Sequence, residues 1–220
     1  MKQITTVIFD LDGTLLNTLD DLADSVNYAL RNASLPERTL NEVRSFVGNG
    51  VRLLMERAVP EGANHPDFEQ IFACFKEHYV THCRQKTCLY DGVEEMLKCL
   101  KEKGYKIGIV SNKLQAGVDE LYDLYFHNTV QVAVGERAGV ARKPAADMVH
   151  IALNELGATA NEAVYVGDSD VDLATAVNSG LPCIAVLWGF RDRDFLMQHG
   201  ATCLASHPED VVKHICDGSF

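Results

Sequence analysis

The stretch Ile4-Thr5-Thr6-Val7-Ile8-Phe9-Asp10-Leu11-Asp12-Gly13-Thr14-Leu15 decides how the rest of the chain is read. Ile4 to Phe9 is a short β-branched and aromatic run, which fits a buried strand, and Asp10 to Thr14 ends it in a polar turn. The pattern returns twice: Tyr105 to Val110 runs into Ser111-Asn112-Lys113, and Ala163 to Val166 into Gly167-Asp168-Ser169-Asp170. Val130 to Val134 and Pro182 to Leu187 are further strand candidates. Between them, Val93, Met96, Leu97 and Leu100 follow helical spacing, as do Val149, Ala152, Leu153 and Leu156. Strands alternating with helices predict an α/β fold with a parallel sheet. Right-handed crossovers put all strand C-termini of such a sheet on one edge, outside which ligands bind. The three polar endings are therefore expected to converge.

From Leu19 to Lys86 the pattern changes. Leu19, Leu22, Ala23, Val26 and Leu30 are helically spaced and no strand run is visible, which predicts a helical insertion. Breaks at Leu35-Pro36, Gly48-Asn49-Gly50 and Pro60 to Pro66 divide it into about four helices. The expected organisation is a core of residues 1–16 and 88–220 interrupted by a helical domain of residues 17–87. No internal repeat or low-complexity tract is found.

Composition excludes several classes of function. The 220 residues are 47% hydrophobic and 23% charged, which rules out disorder as the main state, and a chain of this length buries roughly 70 to 75% of its unfolded surface without staples. Twenty basic against thirty-one acidic residues give a net charge of -11 with no basic cluster, so nucleic acid is not an expected partner. No apolar run reaches the roughly 20 residues that span a bilayer, and Asp10 and Asp12 interrupt the N-terminal run before it can act as a signal peptide. The seven cysteines are odd in number, scattered, and never spaced C-x-x-C; they are read as reduced thiols in a cytoplasmic protein.

The acidic groups carry the chemistry. Asp10 and Asp12 sit two residues apart after a buried strand, where an unpartnered carboxylate pair is costly. Taken alone they also fit a turn or a helix N-cap. Asp168, Asp170 and Asp172 match the first three ligand positions of a calcium loop, but that loop needs Gly at its sixth position and Glu at its twelfth, where this chain has Leu173 and Ser179. A hard cation held by few carboxylates, several waters and a phosphate is instead the usual situation of magnesium.

Four segments, Asp10-x-Asp12-Gly-Thr, Ser111-Asn112, Lys143-Pro144 and Gly167-Asp168-Ser169-x-x-Asp172, occur in this order and resemble the haloacid dehalogenase superfamily. The resemblance spans nearly the whole chain and implies a Rossmann-like core with an inserted helical cap that closes over the site. It implies Asp10 as the nucleophile that forms an aspartyl phosphate, and Asp12 as the group that protonates the leaving alkoxide and then deprotonates water, its carbonyl binding magnesium. It further implies Ser111, with Asn112 beside it, as a hydrogen-bonding partner of the phosphoryl group together with Thr14. Lys143 would be the fixed cation, Asp168 a metal ligand, and Asp172 a residue that binds the metal or orients its surroundings. The physical reason is common to all: carboxylate attack on an anionic phosphate meets strong repulsion unless cations neutralise it.

Asp12 argues for phosphoryl transfer, because dehalogenating and phosphonate-cleaving members lack that carboxylate. Phe46-Val47-Gly48-Asn49-Gly50-Val51-Arg52, Val110-Ser111-Asn112-Lys113 and Gly167-Asp168-Ser169 resemble the phosphoglycolate phosphatase group, in which the loop at Gly48-Asn49-Gly50 reaches the substrate. The resemblance implies a magnesium-dependent phosphatase of small phosphate esters, monomeric or homodimeric, with Gly48, Asn49 and Arg52 on the substrate side. A phosphosugar mutase shares all the core residues, and a silent binding module is the third alternative. Two departures stand out: Asn17-Thr18 where the family commonly has Asp-Ser, and Lys143-Pro144-Ala145-Ala146 where it often has K-P-x-P. Cys74, His78 and His82 at i, i+4, i+8 are read as a solvated helix face, Trp188 and Phe190 as packing, and Asp192 to Asp194 as a solvated turn.

Overall fold

The structure is a computed structural model that describes residues 3–220. The chain divides into two compact units, Met1–Leu16 with Leu89–Phe220, and Asn17–Cys88. Among the described residues there are eight strands: β1 (Thr6–Phe9), β2 (Leu16–Asn17), β3 (Cys88–Leu89), β4 (Lys106–Leu114), β5 (Val132–Glu136), β6 (Ala163–Gly167), β7 (Cys183–Val186) and β8 (Cys203–Ala205). β2 and β3 form a separate two-stranded sheet, where the chain crosses from one unit to the other.

The larger unit is a six-stranded sheet in the order β5-β4-β1-β6-β7-β8, parallel at every pairing. Numbering only these six strands along the chain gives 3-2-1-4-5-6, the Rossmann order, whose direction reverses between β1 and β6. Helices α5 (Val93–Glu102), α6 (Gln115–Leu121), α7 (Asp147–Glu155), α8 (Asp170–Ser179), α9 (Arg193–Gln198) and α10 (Pro208–Asp217) flank it. Alternate strand residues feed two cores. Val7, Phe9, Ile107, Ile109, Val164 and Val166 pack with Val93, Met96, Leu97 and Leu100 of α5 and Val211 and Ile215 of α10. Ile8, Val110 and Tyr165 pack with Met148, Val149, Ala152 and Leu153 of α7 on the other face. A central strand covered on both faces has no polar side to show, which is why β1 and β6 read as continuous apolar runs. β8 escapes the sequence reading because it is only three residues long.

The smaller unit holds α1 (Leu19–Asn32), α2 (Leu40–Phe46), α3 (Val51–Ala58) and α4 (Phe68–His82), with a 3-10 turn at Gly62–Asn64. Thr39 and Glu42 form a capping box that starts α2, and Gly50 precedes α3 at φ 83°, a conformation glycine adopts without strain. Leu22, Val26 and Leu30 of α1 and Phe68, Phe72, Phe75 and Tyr79 of α4 are buried. Asp21, also buried, accepts from the Lys86 and Thr87 N–H groups and from the Thr87 hydroxyl at 2.8–3.1 Å. It thereby fixes the segment that leads to β3. His78 stacks on Tyr28 and His82, with its Nδ1 3.0 Å from Ser25 Oγ, so this helix face is partly packed instead of simply solvated. Asp192 is not a mere turn residue: it caps α9 by accepting from Phe195 N–H at 2.9 Å. No helix of the described residues is long and apolar enough to cross a membrane.

Candidate active site

The larger unit brings the polar strand endings together. Asp10 follows β1, Ser111 to Lys113 form the part of β4 that continues past its pairing with β1, and Asp168 follows β6. One oxygen each of Asp10, Asp168 and Asp172 lies within 4.8 Å of the others, and all three residues are buried. Lys143, on the loop between β5 and α7, inserts its ammonium among them: 2.7 Å from Asp10 Oδ1, 2.9 Å from Asp172 Oδ1 and 3.1 Å from the Tyr165 hydroxyl.

Electrostatics follow from three carboxylates sharing one buried ammonium. Burial, reinforced by repulsion from Asp172, pushes Asp10 well above the usual carboxylate range, against the pull of Lys143. The same two causes push Asp168 up to about 7. Asp172 goes the other way: burial opposes its charge, but Lys143 and the Ser169 and Tyr165 hydroxyls hold it below the usual range. Burial opposes the charge of Lys143 as well, and Asp10 and Asp172 more than offset it, so its pKa is raised. The cluster thus has more negative charge than its lysine neutralises, with only oxygen donors, which fits a hard divalent cation.

Asp172 has little left to offer as a ligand. Oδ1 accepts from Lys143 and Tyr165, and Oδ2 accepts from the N–H groups of Asp168 and Ser169 and from the Ser169 hydroxyl. Two carboxylate oxygens offer about four lone-pair sites, so five donors saturate it. Ser169 and Asp172 also form the capping box that starts α8, which explains why a strand ending and a helix N-terminus meet here. Asp168 accepts from Thr14 Oγ1 at 3.2 Å and from Phe190 N–H at 2.7 Å.

The remaining residues divide into those that face the cluster's chemistry and those that hold it. The Ser111 hydroxyl accepts from Lys113 N–H at 3.1 Å and keeps its own proton to donate. Asn112 is committed to Lys143: its Oδ1 accepts from Lys143 N–H at 2.8 Å and its Nδ2 donates to Lys143 C=O at 3.1 Å. Asp12 is ion-paired with Lys113, Nζ to Oδ1 3.1 Å, and that lysine is almost wholly buried. Sequence reading assigned no role to Lys113 or Tyr165. Their partners are about a hundred residues away for Lys113 and on another element for Tyr165, and no local spacing carries that information. The only available signal was that Lys113 extends a strand ending already rich in polar groups.

Gly48, Asn49 and Arg52 lie in the smaller unit. Asn49 Oδ1 accepts from Arg57 at 2.9 Å. Arg52 reaches Glu69 at 2.6 Å and Glu56 at 3.1 Å, and its guanidinium lies over the Phe68 and Phe72 rings. In this arrangement Arg52 is anchored to its own unit.

Residues 7–186 match the model of the haloacid dehalogenase-like hydrolase family. The phosphoglycolate phosphatase of Yersinia pestis is 31% identical over 220 residues, covering 98% of this chain and 92% of its own. That of Aquifex aeolicus is 30% identical over 213 residues, with 94% of each chain covered. A crystal structure from Lactobacillus delbrueckii subsp. bulgaricus, a candidate phosphoglycolate phosphatase, superposes with a TM-score of 0.93 at 33% identity and covers 97% of this chain and 99% of its own.

Proposed function

The chain belongs to the haloacid dehalogenase-like hydrolases, and we propose on that premise that it is a magnesium-dependent phosphatase of small phosphate monoesters, phosphoglycolate among them. The observation that supports this most is the pair Asp10 and Asp168 at the ends of the neighbouring parallel strands β1 and β6, with Lys143 Nζ from the loop after β5 2.7 Å from Asp10 Oδ1. Its pairing of a buried carboxylate with a fixed cation is what an anionic electrophile requires.

In the proposed reaction a carboxylate oxygen of Asp10 attacks phosphorus, and the bond from phosphorus to the leaving oxygen breaks. Asp12 gives that oxygen its proton, so the alcohol leaves neutral and Asp10 carries the phosphoryl group. Water then attacks phosphorus and passes a proton to Asp12, and the bond to Asp10 breaks, releasing phosphate. Lys143 offsets charge on Asp10 and the phosphoryl oxygens, and Ser111 donates its hydroxyl proton to one of them. Lys113 fixes the rotamer of Asp12 through their ion pair, Asn112 holds the Lys143 backbone, and Thr14 orients Asp168. Magnesium, held by Asp10, Asp168 and the Asp12 carbonyl with Asp172 orienting its surroundings, would supply charge neutralisation and alignment of the phosphoryl group. Residues 17–87 act as the cap that selects substrates. The seven cysteines, none of them in a disulfide, fit a reducing compartment such as the cytoplasm.

The test is a hydrolysis screen over small phosphate esters, with and without magnesium. Phosphate release that stops in excess chelator, returns with magnesium and does not return with calcium is expected, because calcium's longer bonds and higher coordination number misplace Asp10 against phosphorus. Isomerised sugar phosphate without release would indicate a mutase, and silence across the panel a binding role.

Specificity is expected to lie in the cap, since the core residues meet only groups that every substrate shares. Asn49→Ala or Arg52→Ala should lower kcat/KM for the best natural ester about tenfold or more while changing an aryl phosphate, whose leaving group needs little help, by less than about threefold. Equal losses on both substrates would assign Arg52 to its contacts with Glu56, Glu69 and Phe68 alone.

A further inference from the structure

We propose that the turn after β7, Trp188-Gly189-Phe190, is a positioning segment that locks the Asp168 carboxylate against the Gly13-Thr14 turn and so sets the affinity of the site for its divalent cation. This rests on the reading of Asp10 and Asp168 as cation ligands.

Two hydrogen bonds leave this turn, and a third, from Thr14, meets the same carboxylate. The Trp188 indole N–H donates to the Thr14 carbonyl at 2.9 Å, which ties the turn after β7 to the turn after β1. Phe190 N–H donates to Asp168 Oδ2 at 2.7 Å, while Thr14 Oγ1 donates to Oδ1 at 3.2 Å, so each oxygen of Asp168 has its own donor from a different turn. Gly189 lies between these two contacts. A Cβ built there would stand 2.3 Å from the Asp168 Cβ and 2.4 Å from the Gly13 carbonyl oxygen, and one built on Gly13, at φ 87°, would stand 2.4 Å from Asp168 Oδ2. Two glycines from turns far apart in sequence therefore face the same carboxylate, where real Cβ atoms do not fit.

The physical consequence is a carboxylate without rotational freedom. Asp168 is buried beside Asp172, and its ionised form is held by the donors from Phe190 and Thr14. A ligand fixed before the cation arrives loses less entropy on binding than one that must be ordered, and outer hydrogen-bond partners of this kind are typically worth 10–100-fold in metal affinity. Trp188 holds the turn in place through an N–H that no other residue type supplies from an apolar ring of that size. The same contact makes the chain's one tryptophan an optical reporter of the site.

The experiment is a titration of the substrate-free protein with magnesium chloride, read by calorimetry and by Trp188 fluorescence. Wild-type protein is expected to bind magnesium with a change in emission, and Asp168→Asn to abolish both signals. Trp188→Phe, which keeps an aromatic ring and loses the N–H, should weaken magnesium binding by calorimetry about tenfold. Its kcat at saturating magnesium should stay within about threefold of wild type, a split that general loss of structure does not produce. Gly189→Ala should weaken binding further; should it fail to fold, Trp188→Phe carries the test. Wild-type affinity in Trp188→Phe would overturn the positioning role while leaving the cation reading intact. Absence of magnesium binding by the wild type would overturn both.

Discussion

Replacing Asp10 by Asn is expected to lower kcat by about 10³-fold or more while raising the melting temperature of the cation-free protein. The amide has nearly the shape of the carboxylate but is a poor nucleophile, so the first bond to phosphorus does not form. Stability moves the other way because Asp10 is buried beside Asp172 and Asp168, and those neighbours disfavour its charge. The sign follows from proton binding. Asp168 holds its proton in the folded chain to about 7, whereas its ordinary value is 3.8, so between these values the folded state binds more protons than the unfolded one. The cation-free wild type should therefore lose stability as pH rises from about 4 through 7, and magnesium should remove much of that loss. Thermal melts in chelator at pH 5.5 and 8, with phosphate-release assays on the same preparations, check both halves. A tenth or more of wild-type activity in Asp10→Asn would exclude the covalent route.

Lys143→Met should be the most damaging core substitution for folding, and it should cost activity as well. The ammonium touches Asp10, Asp172 and Tyr165 with its side chain 2% exposed. Removing one partner of a buried charge cluster leaves the others uncompensated, typically at about 3–5 kcal/mol. Turnover should fall about 10²-fold or more with loss of the fixed cation. A double-mutant cycle in denaturant separates the ion pair from packing: Asp10→Asn in the Lys143→Met background should recover part of the lost stability. An equal gain from Asp10→Asn in the wild-type and Lys143→Met backgrounds would mean that the 2.7 Å contact contributes nothing to folding.

The sequence made the strand endings legible because β1, β4 and β6 are buried on both faces, and a continuous apolar run that stops at a carboxylate or a serine is visible without knowing its neighbours. Asp10, Ser111 and Asp168 were named for that reason. What stayed hidden are partnerships between elements: Lys113 with Asp12, Tyr165 with Lys143 and Asp172, and the turn at Gly189. A tyrosine inside an apolar strand reads as core, and the hydroxyl that makes Tyr165 part of the charge cluster becomes meaningful only once α8 is laid beside it. Asn112 shows a subtler limit: its position at the strand ending was legible, but its commitment to the Lys143 backbone depends on a loop with no pattern of its own.

The central position of β1 also bears on how the chain is made. Its two neighbours, β4 and β6, pair with it residue for residue from Lys106 and Ala163 onward, so on the ribosome β1 emerges long before either exists. Throughout that interval Thr6 to Phe9 is a nascent strand with both edges unsatisfied, the kind of segment that recruits other chains. Asp10 and Asp12 follow it at once, and charges flanking an apolar strand discourage such pairing. The carboxylates proposed for catalysis would thus also act as gatekeepers during synthesis, and Asp10→Asn, though more stable once folded, should give more aggregate in cells than the purified protein's melting temperature suggests.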